Sequence, residues 1–137
     1  MRKIFRLDDL LKTEWHTNRV LLNYWVLLLA LVFIGSFMPL STIIHQLLLI
    51  DTIAHLILYT ILSFIPMILL RHRKTALLLS LSMTPIGYLL ESFHIIITGD
   101  SFSAINVLAN NAGVFTGITT GFIVRLKRHY SQADEKI

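Results

Sequence analysis

Apolar residues run along this chain in four long blocks, about 21–38, 52–70, 76–98 and 104–124. Each is close to the roughly 20 residues that a helix needs to cross the hydrocarbon of a bilayer. Short polar stretches separate them. Arg71, His72, Arg73 and Lys74 read as one tight turn, and Gly99, Asp100 and Ser101 as another. The connection over 39–51 stays apolar (Ile43, Ile44, Leu47, Leu48, Leu49, Ile50), so it reads as an interfacial or re-entrant segment rather than an aqueous loop. Proline punctuates the blocks. Pro39 ends the first, because it lacks an N–H and disfavours helical geometry at Met38. Pro66 is expected near the end of the second, with a kink, and Pro85 followed by Gly87 predicts a kink inside the third. The pattern predicts an all-α integral membrane protein: a four-transmembrane-helix bundle with short loops.

The leader, residues 1–20, has a mixed character. Ile4, Leu7, Leu11 and Trp15 share a helical face among basic residues. It reads either as an interfacial helix on anionic lipids or as a solvated segment that sets topology. A cleaved signal peptide is not expected, because the charged lead-in is long and no small-residue cleavage site follows the first block. Tyr24 and Trp25 read as residues of the inner aromatic belt.

Composition sharpens this. Of 137 residues, 55% are hydrophobic and only 15% charged, with a mean hydropathy of +0.70; a soluble domain of this size carries more charge. The four blocks use most of the chain. One membrane domain over 21–124 is therefore expected, with a cytoplasmic leader (1–20) and a cytoplasmic tail (125–137). The sequence has no cysteine, which excludes disulfides, thiol catalysis and cysteine-ligated clusters. A net charge of +4 in a soluble protein would suggest nucleic acid. Here all 12 Lys and Arg fall before the first block, between the second and third, and after the fourth. The positive-inside bias makes that side cytoplasmic, giving an N-in/C-in topology and no nucleic-acid partner.

The candidate chemistry lies towards the other side. Asp51, His55 and Tyr59 recur every fourth residue, so a helix places them in one polar stripe. Glu91 and His94 lie near the end of the third block, and Asn106 and Asn110 near the start of the fourth. At a rise of about 1.5 Å per residue, His55 and His94 lie roughly 6–7 Å below the outer surface, and Tyr59, Glu91 and Asn110 roughly 10–12 Å below it. Three spans thus bring polar groups to one level of the outer half. Gly113, Gly117 and Gly121 form a doubled GxxxG face that reads as helix packing.

In order and spacing, this set resembles the VanZ-like membrane protein family: Asp51 and His55 opening the second span with Tyr59 a turn further on, Glu91 and His94 shortly before Gly99, then Ser103, Asn106, Asn110, Gly113 and Gly117. The resemblance covers about residues 36–121. It implies an integral membrane protein of bacteria or archaea, linked through the founding member to low-level resistance to the glycopeptide teicoplanin. The chain departs from the family pattern in three places: His94 stands where the family usually has glutamine, Asn106 where it has aspartate, and Asp100 near its arginine.

Each residue also has a plainer reading. Asp51 and His55 form either a proton-transfer pair or an i,i+4 hydrogen bond at the membrane surface. A carboxylate as deep as Glu91 usually marks function in a membrane protein; its structural alternative is a hydrogen bond to Asn110 or Tyr59. Asn106 and Asn110 read as ligand contacts or as interhelical glue. The carboxylate–histidine spacing resembles metal-binding bundles, but the motif is incomplete and no metal or cofactor is expected. No nucleophilic-serine motif, phosphate loop or nucleotide fingerprint is present; Ser92 and Ser103 stand in no such motif.

The leading expectation is a polar pocket open to the outer leaflet of the cytoplasmic membrane. It would bind, and in an enzymatic version modify, a lipid or lipid-linked envelope precursor. Glu91 and His55 would exchange protons, Asp51 would orient His55, and Tyr59, His94, Asn106 and Asn110 would contact the ligand. Two other classes stay open. One is a non-enzymatic module that shields or senses envelope components. The other is a small proton-coupled transporter, which would need a homodimer because four spans leave little room for a pathway.

Overall fold

The computed structural model describes residues 15–37 and 48–134. Five helices make up these residues: α1 (Trp15–Phe37), α2 (Leu48–Leu69), α3 (Arg73–Leu81), α4 (Met83–Thr98) and α5 (Ala104–Asp134); no strand occurs among the described residues. With α3 and α4 taken as one span, four stretches are long and apolar enough to cross a membrane: Arg19–Phe37, Ile50–Leu69, Arg73–Thr98 and Ala104–Ala133. The chain is thus all-helical with the make-up of a multi-pass membrane protein. The interfacial helix expected over 4–15, the break at Pro39 and the apolar connection over 39–47 lie outside the described residues.

The helices extend beyond the apolar blocks at several ends. α1 begins at Trp15, inside the expected leader. α5 continues through the basic residues of the expected tail to Asp134. α2 starts at Leu48 and runs past Pro66 to Leu69. It ends three residues past Pro66, near the expected end of the second block, and a specific contact lets the helix run through the proline. Pro66 has no N–H to give to the Leu62 carbonyl. The buried indole of Trp25 on α1 supplies that donor, with Nε1 2.8 Å from the Leu62 oxygen. Trp25 is accordingly a packing anchor and not a belt residue, whereas its neighbour Tyr24 is exposed. In the third span, α3 and α4 meet at Ser82, which keeps right-handed helical geometry (φ −63°, ψ −17°). The interruption sits three residues before Pro85, because the proline leaves the Leu81 carbonyl without its i+4 donor.

α2 and α5 form the most extensive interface, built on the glycine face. A Cβ at Gly113 would stand 2.5 Å from the Leu56 carbonyl oxygen. One at Gly117 would collide with the Thr60 carbonyl, and one at Gly121 with the Met67 side chain. Gly113 and Gly117 thus let two backbones touch, and Gly121 extends the close face by a turn, as the doubled GxxxG predicts. α3 locks onto α2 through two fully buried serines. Ser80 Oγ donates to the Ser63 carbonyl at 2.7 Å, and Ser63 Oγ to the Ser80 carbonyl at 3.4 Å. Both hydroxyls are therefore used in packing.

The contacts fix which helix ends lie together. At one end Arg125 of α5 closes α2: its guanidinium donates to the carbonyls of Met67, Leu70 and Arg71, each at 2.8 Å. These are the carbonyls that a helix C-terminus leaves without partners. Arg71, Arg73 and Lys74 belong to the same end, the basic end. At the opposite end, the polar end, the last turn of α1 meets α4, and the start of α2 meets the start of α5.

A polar cluster at the head of α5

The site is organised around the first turn of α5. Ser103 is its N-cap: the hydroxyl accepts the N–H of Asn106 at 3.3 Å, the N-cap-to-N3 bond that starts many helices. Glu91 of α4 completes the cap from outside the helix. Its Oε1 accepts the backbone N–H of Ser103 at 3.2 Å. In a capping box that carboxylate comes from the third residue of the same helix; here the third residue is Asn106 and the carboxylate comes from a neighbouring span. Glu91 is only 9% exposed. Its second oxygen, Oε2, takes no hydrogen bond among the described residues.

Asn106 continues the network towards α2. Its Nδ2 donates to Asp51 Oδ2 at 2.8 Å, while its Oδ1 accepts from the Thr52 hydroxyl at 3.4 Å. The two contacts fix the amide orientation. A carboxylate at position 106 would face Asp51 with like charge. The other oxygen of Asp51, Oδ1, stands 3.6 Å from His55 Nε2. His55 Nδ1 donates to Asn110 Oδ1 at 2.9 Å. The ring thus has an oxygen near each nitrogen, at hydrogen-bond distance on the Nδ1 side alone.

Below His55 the cluster ends against packing. Tyr59 stacks parallel to the imidazole with ring centroids 6.3 Å apart and is 2% exposed. A Cβ at Gly87 would meet Tyr59 Cε1 at 2.9 Å and Asn110 Nδ2 at 3.1 Å. Gly87 therefore admits the tyrosine and the amide against α4. Tyr59 is a wall behind His55 and not an open ligand contact.

His94 belongs to a separate arm. Its Nδ1 donates to the carbonyl of Ser36 at 2.9 Å, capping the end of α1, where carbonyls lack intrahelical partners. Its Nε2 faces Asp100 Oδ2 at 3.5 Å. Asp100 follows Gly99, which ends α4 in the left-handed conformation (φ 73°) that glycine adopts without penalty.

The structure therefore joins Asp51, His55, Glu91, Asn106 and Asn110 in one continuous network and places Tyr59 behind it. The structural alternative for Glu91, a hydrogen bond to Asn110 or Tyr59, gives way to one from the Ser103 backbone. Sequence reasoning placed Ser103 in the ordered motif but gave it no role, although a serine three residues before Asn106 at the head of an apolar block is a helix-start signal. Thr52 and Ser36 carried no signal of this kind. No group of three His, Asp or Glu side chains among the described residues is arranged to hold a metal ion.

The chain matches no family model, no curated protein and no solved structure.

Proposed function

We propose that this chain is a VanZ-like protein of the bacterial cytoplasmic membrane, N-in/C-in, whose polar end lies in the outer half of the bilayer and receives the headgroup of a lipid or lipid-linked envelope precursor. The ordered motif from Asp51 to Gly117 supports the family reading, and the confinement of all Lys and Arg to the leader, the 71–74 turn and the tail supports the orientation. The observation that carries the functional reading is Glu91: a nine-tenths-buried carboxylate held at one oxygen by Ser103, with the other oxygen open to a ligand. Buried carboxylates in membrane domains without a partner are costly and mark function.

In this reading Glu91 and His55 are the proton-exchanging groups. Asp51 orients the imidazole, and Asn110 holds its second nitrogen. Asn106 holds Asp51 in turn. The fixed network costs no rearrangement when a headgroup arrives, which is the preorganisation that acid–base chemistry needs. A ligand entering sideways from the outer leaflet would reach this level of the bundle without crossing the hydrocarbon.

One observation favours a second reading, a non-enzymatic module that shields or senses envelope components. The Glu91–Ser103 bond joins α4 to α5 and needs only an acceptor, not a proton exchanger. Two substitutions separate the readings. Glu91→Gln keeps an acceptor oxygen for Ser103 and so preserves the fold in both. It abolishes teicoplanin tolerance if Glu91 exchanges protons and leaves it intact if Glu91 is structural. Glu91→Leu removes the acceptor and lowers folded yield in either case. A Gln variant that retains the full tolerance phenotype refutes the acid–base role.

A further inference from the structure

The carboxylates at the polar end are not equivalent. Asp51 stands against His55, and Asp100 against His94. Glu91, between them along the chain, has no imidazole and no Lys or Arg partner among the described residues. Its one hydrogen bond comes from a neutral backbone N–H. Arg71, Arg73 and Lys74 lie instead at the basic end, where Arg125 is already committed to three carbonyls of the α2 terminus and its following turn. Asp51 and Asp100 thus each have an imidazole nitrogen within 3.6 Å, and Glu91 has none among the described residues.

A second observation points to the same chemistry. Tyr88 lies one turn before Glu91 on α4, and Phe102 directly precedes Ser103. Their rings meet edge to face, with centroids 6.0 Å apart, and both side chains are exposed. An aromatic pair therefore flanks the joint made by Glu91 and Ser103. Buried carboxylate and exposed aromatic rings together are the surroundings in which a small cation is held, by charge and by the ring quadrupole. A bare phosphate would meet three carboxylates instead.

Building on the headgroup reading above, we propose that Glu91 receives the primary ammonium of a phospholipid headgroup. A primary ammonium offers three N–H donors, one of which fits the Glu91 oxygen that Ser103 leaves open. A quaternary ammonium carries the same charge without a donor. A glycerol headgroup has hydroxyl donors but no positive charge to offset its phosphate. The ranking expected is therefore phosphatidylethanolamine, then phosphatidylcholine, then phosphatidylglycerol.

The test uses the full chain in detergent. Unfolding is followed by tryptophan fluorescence while short-chain forms of the three lipids, and free ethanolamine, are titrated in turn. Phosphatidylethanolamine should raise the midpoint by about 3 °C or more at saturation, phosphatidylcholine by less, and phosphatidylglycerol and free ethanolamine by almost nothing. Glu91→Gln should unfold near the wild-type midpoint without lipid and lose the ethanolamine-lipid shift. If that variant folds poorly, competition among the three lipids on the wild-type chain, read by native mass spectrometry, decides the ranking alone. Equal shifts for the three lipids, a preference for phosphatidylglycerol, or an ethanolamine-lipid shift that survives Glu91→Gln would each overturn the proposal. A shift with free ethanolamine as large as with the lipid would overturn the lipid as the source of the ammonium. The outcome is separable from the acid–base reading: Glu91→Gln can abolish tolerance with no lipid ranking, which sinks only the ammonium, or spare tolerance with the ranking intact, which sinks only the proton exchange.

Discussion

The indole N–H of Trp25 lies 2.8 Å from the carbonyl oxygen of Leu62, the one carbonyl of α2 that Pro66 deprives of its helical partner. A helix break on one span is thus repaired by an aromatic side chain on another. α1, whose remaining surface is mostly exposed, gains a specific attachment to the bundle.

That relationship predicts a coupling. Trp25→Phe keeps most of the ring but strands the Leu62 carbonyl, which should cost about 1–3 kcal/mol. In a Pro66→Ala background the helix regains its own N–H at that position, and the same substitution should cost about 1 kcal/mol less. Unfolding midpoints of the four proteins in detergent measure the difference. Equal costs in both backgrounds would show that Trp25 acts only by filling space.

The glycine face makes the second prediction. Gly117→Ala would drive a methyl group into the Thr60 carbonyl and the backbone of α2. Since the obstacle is main chain rather than a flexible side chain, the helices must separate, at about 1–3 kcal/mol. Phe115, two residues away and 73% exposed, should accept leucine within about 0.5 kcal/mol. Folded yield and melting temperature of the two variants provide the comparison.

Arg125 should behave as a cap as well as a topology signal. Arg125→Ala strands three carbonyls and should destabilise by about 2 kcal/mol. Arg125→Lys keeps the charge but loses the planar fork that spans Met67, Leu70 and Arg71, and should recover only part of the loss. Hydrogen exchange should show the change concentrated in the last turn of α2 and the turn after it. A full rescue by lysine would mean that charge alone matters there.

Orientation can be read by cysteine labelling, which the absence of native cysteine makes clean. A cysteine at position 100 should react with an impermeant reagent added outside. Cysteines at 72 and 130 should react only after permeabilisation. The reverse pattern would place the polar end in the cytoplasmic half.

Much of the candidate site was legible because helical spacing is regular. Asp51, His55 and Tyr59 at intervals of four had to share a face; counting residues from each span end put Glu91 and Asn110 at one level, whereas Glu91 meets Ser103 and Asn110 lies against Gly87, about a turn further along α4 towards the basic end. The partners within that level were not legible. The structural alternative for Glu91 was a hydrogen bond to a side chain, and it accepts one from a backbone N–H; His94, an expected ligand contact, bonds the Ser36 carbonyl. Both partners are main-chain groups at helix ends, and every residue type offers the same main-chain atoms, so no sequence pattern marks them.

The sequence by itself determined that this protein is helical and apolar enough to cross a membrane several times, where its spans lie, and that its positive charge is segregated to the leader, the 71–74 turn and the tail. These follow from periodicity and composition, which act locally. Tertiary structure alone decided which polar atom answers which. Trp25 repairs the gap left by Pro66, Arg125 closes α2, and Glu91 caps α5 from another span. Each joins residues 12 to 58 positions apart, and in an apolar interior an unpaired polar group is costly enough to dictate such pairings once the helices meet.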